Sequence, residues 1–133
     1  MSKRSAPRAT EHQEQCAVVA WFNAACKGYG LPPYALFANV NGAHLAGDAR
    51  GRAIKMANLK RAGLRPGVPD LILLTVRYDE PSACALLIEM KRKPNQASAA
   101  QLVFLAWAQA RGYRTVVAWN AEEAIRAIKD YLA

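Results

Sequence analysis

The segments GVPDLILL, residues 67–74, and LLIEMK, residues 86–91, each set charged side chains against a run of aliphatic ones. They belong to two continuous apolar runs, DLILLTV at 70–76 and ACALLIEMK at 83–91, separated by RYDEPS with its turn-favouring Pro and polar residues. Such runs, bounded by turn signals, predict an antiparallel β-hairpin inside a well-covered sheet. In a hairpin the start of the first strand lies beside the end of the second, so Asp70 and Glu89-Met90-Lys91 meet at one end of the sheet. Side chains alternate along a strand; Glu89 and Lys91 therefore share a face and Met90 points to the other.

Working outward, EHQEQCAVVAWFNAACK at 11–27 predicts a helix that ends at Gly28 and Gly30. Being apolar nearly all round, it is expected to be largely covered. YALFANV at 34–40 reads as a strand, followed by a loop to about Asp48 and a basic helix over 49–62 closed by Gly63. A second long helix runs from Ser98 to Arg111, with Ser98 and Gln101 at the spacing of a capping box. TVVAW at 115–119 is a further strand, and Asn120 with Glu123 caps a last helix through Leu132. The order α-β-α-β-β-α-β-α gives an α/β fold: a mixed sheet flanked by helices, with a parallel right-handed crossover between the strands at 84–91 and 115–119.

The chain of 133 residues is expected to form one domain over 11–133, after a disordered basic lead-in at 1–10. Its 53% apolar and 21% charged residues are those of a globular protein. No apolar stretch approaches the roughly 20 residues of a membrane span, and the N-terminus lacks the apolar core of a secretory signal. A cytoplasmic protein without membrane contact is expected. Cys16, Cys26 and Cys84 are an odd set with no disulfide framework, and the two in the first helical segment fit small core positions. His12 and Cys16 are four apart, but no CxxC or His cluster completes a zinc set. The net charge of +8 points towards a polyanionic partner, with a solvated basic face as the alternative.

Two carboxylates a few ångströms apart repel, and at a desolvated site one takes a proton unless a cation lies between them. A hard divalent metal resolves that conflict because it prefers oxygen ligands and keeps several waters of its own. Lys91 would then stand where it can steady an attacking water or the charge that builds on a phosphate. Together these groups suit metal-assisted phosphodiester hydrolysis. A plain ion pair of Glu89 and Lys91 beside a turn residue Asp70 is the structural alternative.

The combination GLRPGVPDLILL at 63–74, LLIEMKRK at 86–93, SAAQLVFLAWAQARGYRTVVAW at 98–119, TEHQEQ in the first helix, FANVNG at 37–42 and the closing EEAIRAIKDYL resembles the VRR-NUC domain of the PD-(D/E)xK nuclease superfamily. The resemblance covers Glu11 to Leu132 and implies a restriction-endonuclease-like αβββαβ core. It implies Mg²⁺ or Mn²⁺ held by Asp70, Glu89 and the main-chain carbonyl of Met90. Lys91 falls on the catalytic lysine, and Gln101 on a glutamine of the following helix, where the helix cap is an equal explanation. A further acid comes from the first helix, either Glu11, favoured because it pairs with Gln15 in an E-x-x-x-Q pattern, or Glu14. Asn41 lies in a stretch that borders the site in the family, and it could equally be a plain turn residue.

Arg50, Arg52, Lys55, Lys60, Arg61 and Arg65 lead into Pro69-Asp70, while Arg92 and Lys93 follow Lys91, and both groups are expected to converge on the carboxylate end of the hairpin. Contacts to phosphates position DNA without reading its bases, so shape recognition with strong salt dependence is expected. By resemblance, stand-alone chains of this kind are phage or bacterial homodimers that cut four-way (Holliday) junctions, and this function leads. A flap or restriction-type nuclease, or a nucleic-acid-binding module without catalysis, are the alternatives.

Overall fold

The computed structural model describes residues 7–39, 46–80 and 82–133. Asn41 with the rest of the FANVNG stretch beyond Asn39, and the first six residues of the lead-in, lie outside the described residues.

Helix α1, Glu11–Ala25, opens with a capping box in which Thr10 and Gln13 exchange hydrogen bonds, and passes into a short 3₁₀ turn, Cys26–Tyr29, closed by Gly30 at φ 72°. Strand β1, Leu36–Ala38, precedes helix α2, Ala49–Arg61, which Asp48 caps through the N–H of Gly51. Strands β2, Leu71–Leu73, and β3, Leu86–Met90, are followed by helix α3, Ala99–Ala110, strand β4, Arg114–Ala118, and helix α4, Ala121–Leu132. The sheet order is β1-β2-β3-β4; β1, β2 and β3 pair antiparallel and β3 with β4 parallel. The fold is thus the expected mixed sheet with helices around it.

Alternation along the strands divides the core in two. On one side Leu71, Leu73, Ile88, Met90 and Ala118 pack with Val18 and Phe22 of α1 and with Ala124, Ile128 and Tyr131 of α4. The α4 residues recur at i, i+4 and i+7, the stripe of a helix buried along one face. On the other side Ile72, Ala85 and Leu87 pack with Phe104 and Ala108 of α3. The hydroxyl of Tyr131 lies 2.6 Å from the carbonyl oxygen of Thr75 and 2.9 Å from that of Ala83, so the last helix ties together the two arms of the hairpin.

Several expectations change. α1 buries only Val18 and Phe22, and Ala17, Ala20 and Ala24 of its apolar circumference face solvent. Cys16 is exposed and only Cys26 of the two N-terminal thiols is in the core. The strand foreseen over 70–76 stops at Leu73, and Leu74 and Val76 are exposed. Tyr34 and Ala35 fall in a 3₁₀ turn initiated by Pro32-Pro33 rather than in β1. Trp21 packs against the core, whereas Trp107 is 53% exposed on α3.

Candidate active site

The β2–β3 register pairs Leu71 with Ile88, and one residue further out it sets Asp70 opposite Glu89. That register follows from the aliphatic alternation, since a slip by one residue would move Leu71 and Leu73 out of the core. Asp70 is fixed by two neighbours. The N–H of Met90 donates to its Oδ2 at 2.8 Å, and its own carbonyl accepts from the N–H of Asn39 at 3.0 Å. The Asn39 side chain donates to the carbonyl of Pro69 at 2.7 Å, so β1 clamps the Pro69-Asp70 turn from the far side.

Glu89 is 2% exposed and is the one charged residue of the described core. Its Oε1 accepts from Gln101 Nε2 at 2.7 Å and lies 3.5 Å from Lys91 Nζ. Its Oε2 is buried with no hydrogen-bond partner among the described residues. Burial, and then the negative charge of Asp70, push the Glu89 carboxyl up from an ordinary 4.5 to about 7, against the opposing pull of Lys91. Asp70 is raised too, by burial first, with the Met90 N–H and Lys91 acting against it and the charge of Glu11 adding to the rise. The pair therefore behaves as two carboxyls competing for charge in a small dry space.

Gln101 resolves an ambiguity of the sequence, since it does both things at once. Its Oε1 accepts from the N–H of Ser98 at 2.7 Å, completing the capping box of α3, while its Nε2 holds Glu89. The cap fixes the amide's orientation, and the amide in turn fixes the Glu89 rotamer. Gly67 makes this possible: at φ +83°, a Cβ there would lie 2.6 Å from the carbonyl group of Ala100 and 2.9 Å from the N–H nitrogen of Gln101. The first turn of α3 sits directly on the Gly67 backbone. Only the Pro66-Gly67 dipeptide, a turn signal, hinted at this contact in the sequence.

The two candidate acids of α1 separate. Glu11 Oε1 accepts from the N–H of Arg92 at 3.1 Å and is close enough for its charge to act on Asp70. Glu14 Oε2 accepts from the N–H of Ala121 at 2.6 Å, so it caps α4 from another helix. Asn120, accepting from the N–H of Glu123, and Glu123, accepting from that of Trp119, complete that helix start. Glu11 thus borders the carboxylate pair and Glu14 faces away to a structural task.

Among the described residues no three His, Cys, Asp or Glu side chains converge as a closed metal cluster. The donor set is instead the two carboxylates of Asp70 and Glu89, all oxygen, which suits a Mg²⁺- or Mn²⁺-sized ion that retains water. The donorless buried Oε2 of Glu89 and the raised pair fit a cation there.

The basic residues divide. Lys60 and Arg65 line a cavity of about 360 Å³ together with Gly67 and Gln101, the residue that donates to Glu89. Arg52 donates to the carbonyl of Gly47 and Lys55 to that of Ala46, so these two fold back on the loop before α2. Arg61 donates to Asn58 along the helix, and Arg50 is exposed. Lys93 Nζ lies 5.7 Å from the ring centroid of Trp119. Of the basic residues, Lys60 and Arg65 thus share a cavity with Gln101, which holds Glu89, and the backbone N–H of Arg92 meets Glu11. Arg52 and Lys55 are engaged on their own loop instead.

With this geometry in place, comparison with known proteins is informative. The family model of the VRR-NUC domain matches residues 6–121. A solved structure described as a VRR_NUC domain protein superposes with a TM-score of 0.74 at 26% identity, covering 95% of this chain and 90% of that one. No curated protein matches.

Proposed function

Since this chain belongs to the VRR-NUC domain family, a nuclease-type family, we propose that it is a divalent-metal-dependent endonuclease acting on branched DNA, four-way junctions in particular. The observation that carries the proposal is the meeting of Asp70, Glu89 and Lys91 at one end of the β2–β3 hairpin, with Gln101 and Glu11 beside them. Asp70, Glu89 and the main-chain carbonyl of Met90 would hold Mg²⁺ or Mn²⁺, which when bound supplies charge neutralisation and Lewis-acid activation at the phosphate.

The chain's own residues do the rest. Gln101 holds Glu89 in the conformation that faces Asp70, and the Met90 N–H holds Asp70 in turn. Lys91, with Nζ 3.5 Å from Glu89, is placed to orient an attacking water and to balance charge on the phosphate as it is attacked. Lys60, Arg65, Arg92 and Lys93 would contact flanking phosphates without reading sequence. Two chains related by a two-fold axis would supply the two cuts of a symmetrical junction. The exposed Val103 and Trp107, one turn apart on α3, offer a surface for that pairing.

The test is cleavage of labelled linear duplex, flap and four-way junction DNA with Mg²⁺, Mn²⁺ or EDTA. The wild-type chain is expected to cut the junction fastest and only with metal. Asp70→Asn and Lys91→Ala are each expected to slow cleavage by at least about 100-fold. Cleavage by either variant at the parent rate would contradict the proposal.

A further inference from the structure

The face of the sheet that carries Glu89 does not end at the carboxylates. β3 and β4 run parallel with Glu89 opposite Val117 and Met90 opposite Ala118, so Val117 projects to the side of Glu89 from the neighbouring strand. Beyond the strand end, Trp119 joins Val117 in lining a cavity of about 610 Å³, closed by Leu102 of α3 and by Lys93 and Pro94. The backbone ties this cavity to the active site. The N–H of Lys91 donates to the carbonyl of Ala118, the residue before Trp119, at 2.8 Å. Leu102 follows Gln101, which holds Glu89.

The chemistry of the cavity is an aromatic plane and aliphatic walls with the Lys93 ammonium over the indole, from where a stacking base would displace it towards its own phosphate. Lys93 Nζ stands 5.7 Å from the Trp119 ring centroid, two residues along the chain from Lys91. A nucleotide has matching parts: a flat base that stacks on an indole and a phosphate that pairs with an ammonium. A base inside a duplex is already stacked on its neighbours, whereas an unpaired base is free to enter.

Resting on the nuclease reading above, we propose that this cavity receives one unpaired nucleobase of the DNA strand being cut, stacked on Trp119 with its phosphate at Lys93. The occupant follows from charge complementarity with a chain of net charge +8 and from the continuity of the cavity with the catalytic face, one strand away. Selectivity for branched DNA then arises from the capture of a base that is unpaired in a flap or released from its partner at the crossover of a four-way junction. It is tolerant of sequence, because every base has a face to stack.

Equilibrium binding in EDTA separates this proposal from catalysis. Fluorescent flap DNA with unpaired nucleotides is compared with continuous duplex of the same sequence, using the full chain, Trp119→Ala, Trp119→Phe and Leu102→Glu, with folding checked by circular dichroism. Trp119→Ala is expected to weaken flap binding about tenfold and to leave duplex binding within about twofold, while Trp119→Phe, which keeps a ring, retains most of the affinity. Should Trp119→Ala fail to fold, Leu102→Glu, on an exposed helix position, is expected to show the same selective loss by placing a carboxylate in the cavity. An unchanged flap-to-duplex ratio in the folded variants, or a Phe variant as weak as the Ala variant, would overturn the proposal. Selective flap binding by a chain that fails to cut with Mn²⁺ would retract the nuclease reading and leave the base pocket standing.

Discussion

Glu89 is where burial and function conflict most directly. A carboxyl raised to about 7 by burial and by Asp70 keeps its proton in the folded chain at pH values where the unfolded chain, near 4.5, has released it. Between those values the folded state binds more protons, so the stability it gains from this proton is complete below about pH 4.5 and is lost as pH rises to about 7. Thermal melts of the metal-free protein are expected to show that decline, on the order of 3 kcal/mol across the window. Glu89→Gln, which keeps the Gln101 contact without a titrating group, is expected to flatten it. Equal pH slopes for the two chains would place the charge conflict elsewhere.

Gln101 acts on the same carboxylate directly and Gly67 acts through it, and this was legible only in part. GxPD and ExK are readable as a pair because strand alternation and hairpin geometry alone bring them together. The sequence also offered Gln101 as either a cap or a site residue, and could not show that one amide uses its oxygen for Ser98 and its nitrogen for Glu89. Gly67→Ala would drive a Cβ into the Ala100 carbonyl at a left-handed backbone position. A loss of at least about 1 kcal/mol is expected, with cleavage reduced as Gln101 is displaced. A Gly67→Ala chain that melts and cuts like the parent would show that this contact is not needed.

At the level of elements, the helices were the most readable because caps and periodicity are local, and the strands the least because their ends depend on partners. β2 is shorter than its apolar run, since β1 is only three residues long and leaves Leu74 onwards without a full ladder. The choice between Glu11 and Glu14 was closed to the sequence for a related reason: both lie on one helical face, and what separates them is which other element each meets. Glu11 reaches the backbone after β3, whereas Glu14 reaches the start of α4. Glu14→Ala is accordingly expected to cost about 1 kcal/mol in stability, as the loss of a helix cap does, with cleavage preserved. Glu11→Gln is expected to lower cleavage with little change in melting temperature. The reverse pattern, read from melts and rates side by side, would exchange their roles.

For the whole molecule, the fold class follows from the order of elements, and the structural neighbour agrees with it. No helix among the described residues is long and apolar enough to cross a membrane. The distribution of charge was less accessible. A count of basic residues treats Arg52 and Lys55 as equal to Lys60 and Arg65, although the first two are spent on the carbonyls of their own loop. In DNA binding measured over a salt series, Lys60→Ala and Arg65→Ala are each expected to reduce the salt slope by about one unit. Arg52→Ala is expected to leave it nearly unchanged, and a drop equal to that of Lys60→Ala would contradict this division of the basic residues.

Calorimetric titration of Mn²⁺ into the DNA-free chain near pH 6 probes the heart of this account. One ion is expected to bind per chain with release of a proton, since the cation displaces the proton that Glu89 and Asp70 hold between them, and both signals are expected to vanish in Glu89→Gln. Binding of equal affinity by Glu89→Gln and by Asp70→Asn, or binding by the parent chain without proton release, would contradict the assignment of these two carboxyls as the metal site.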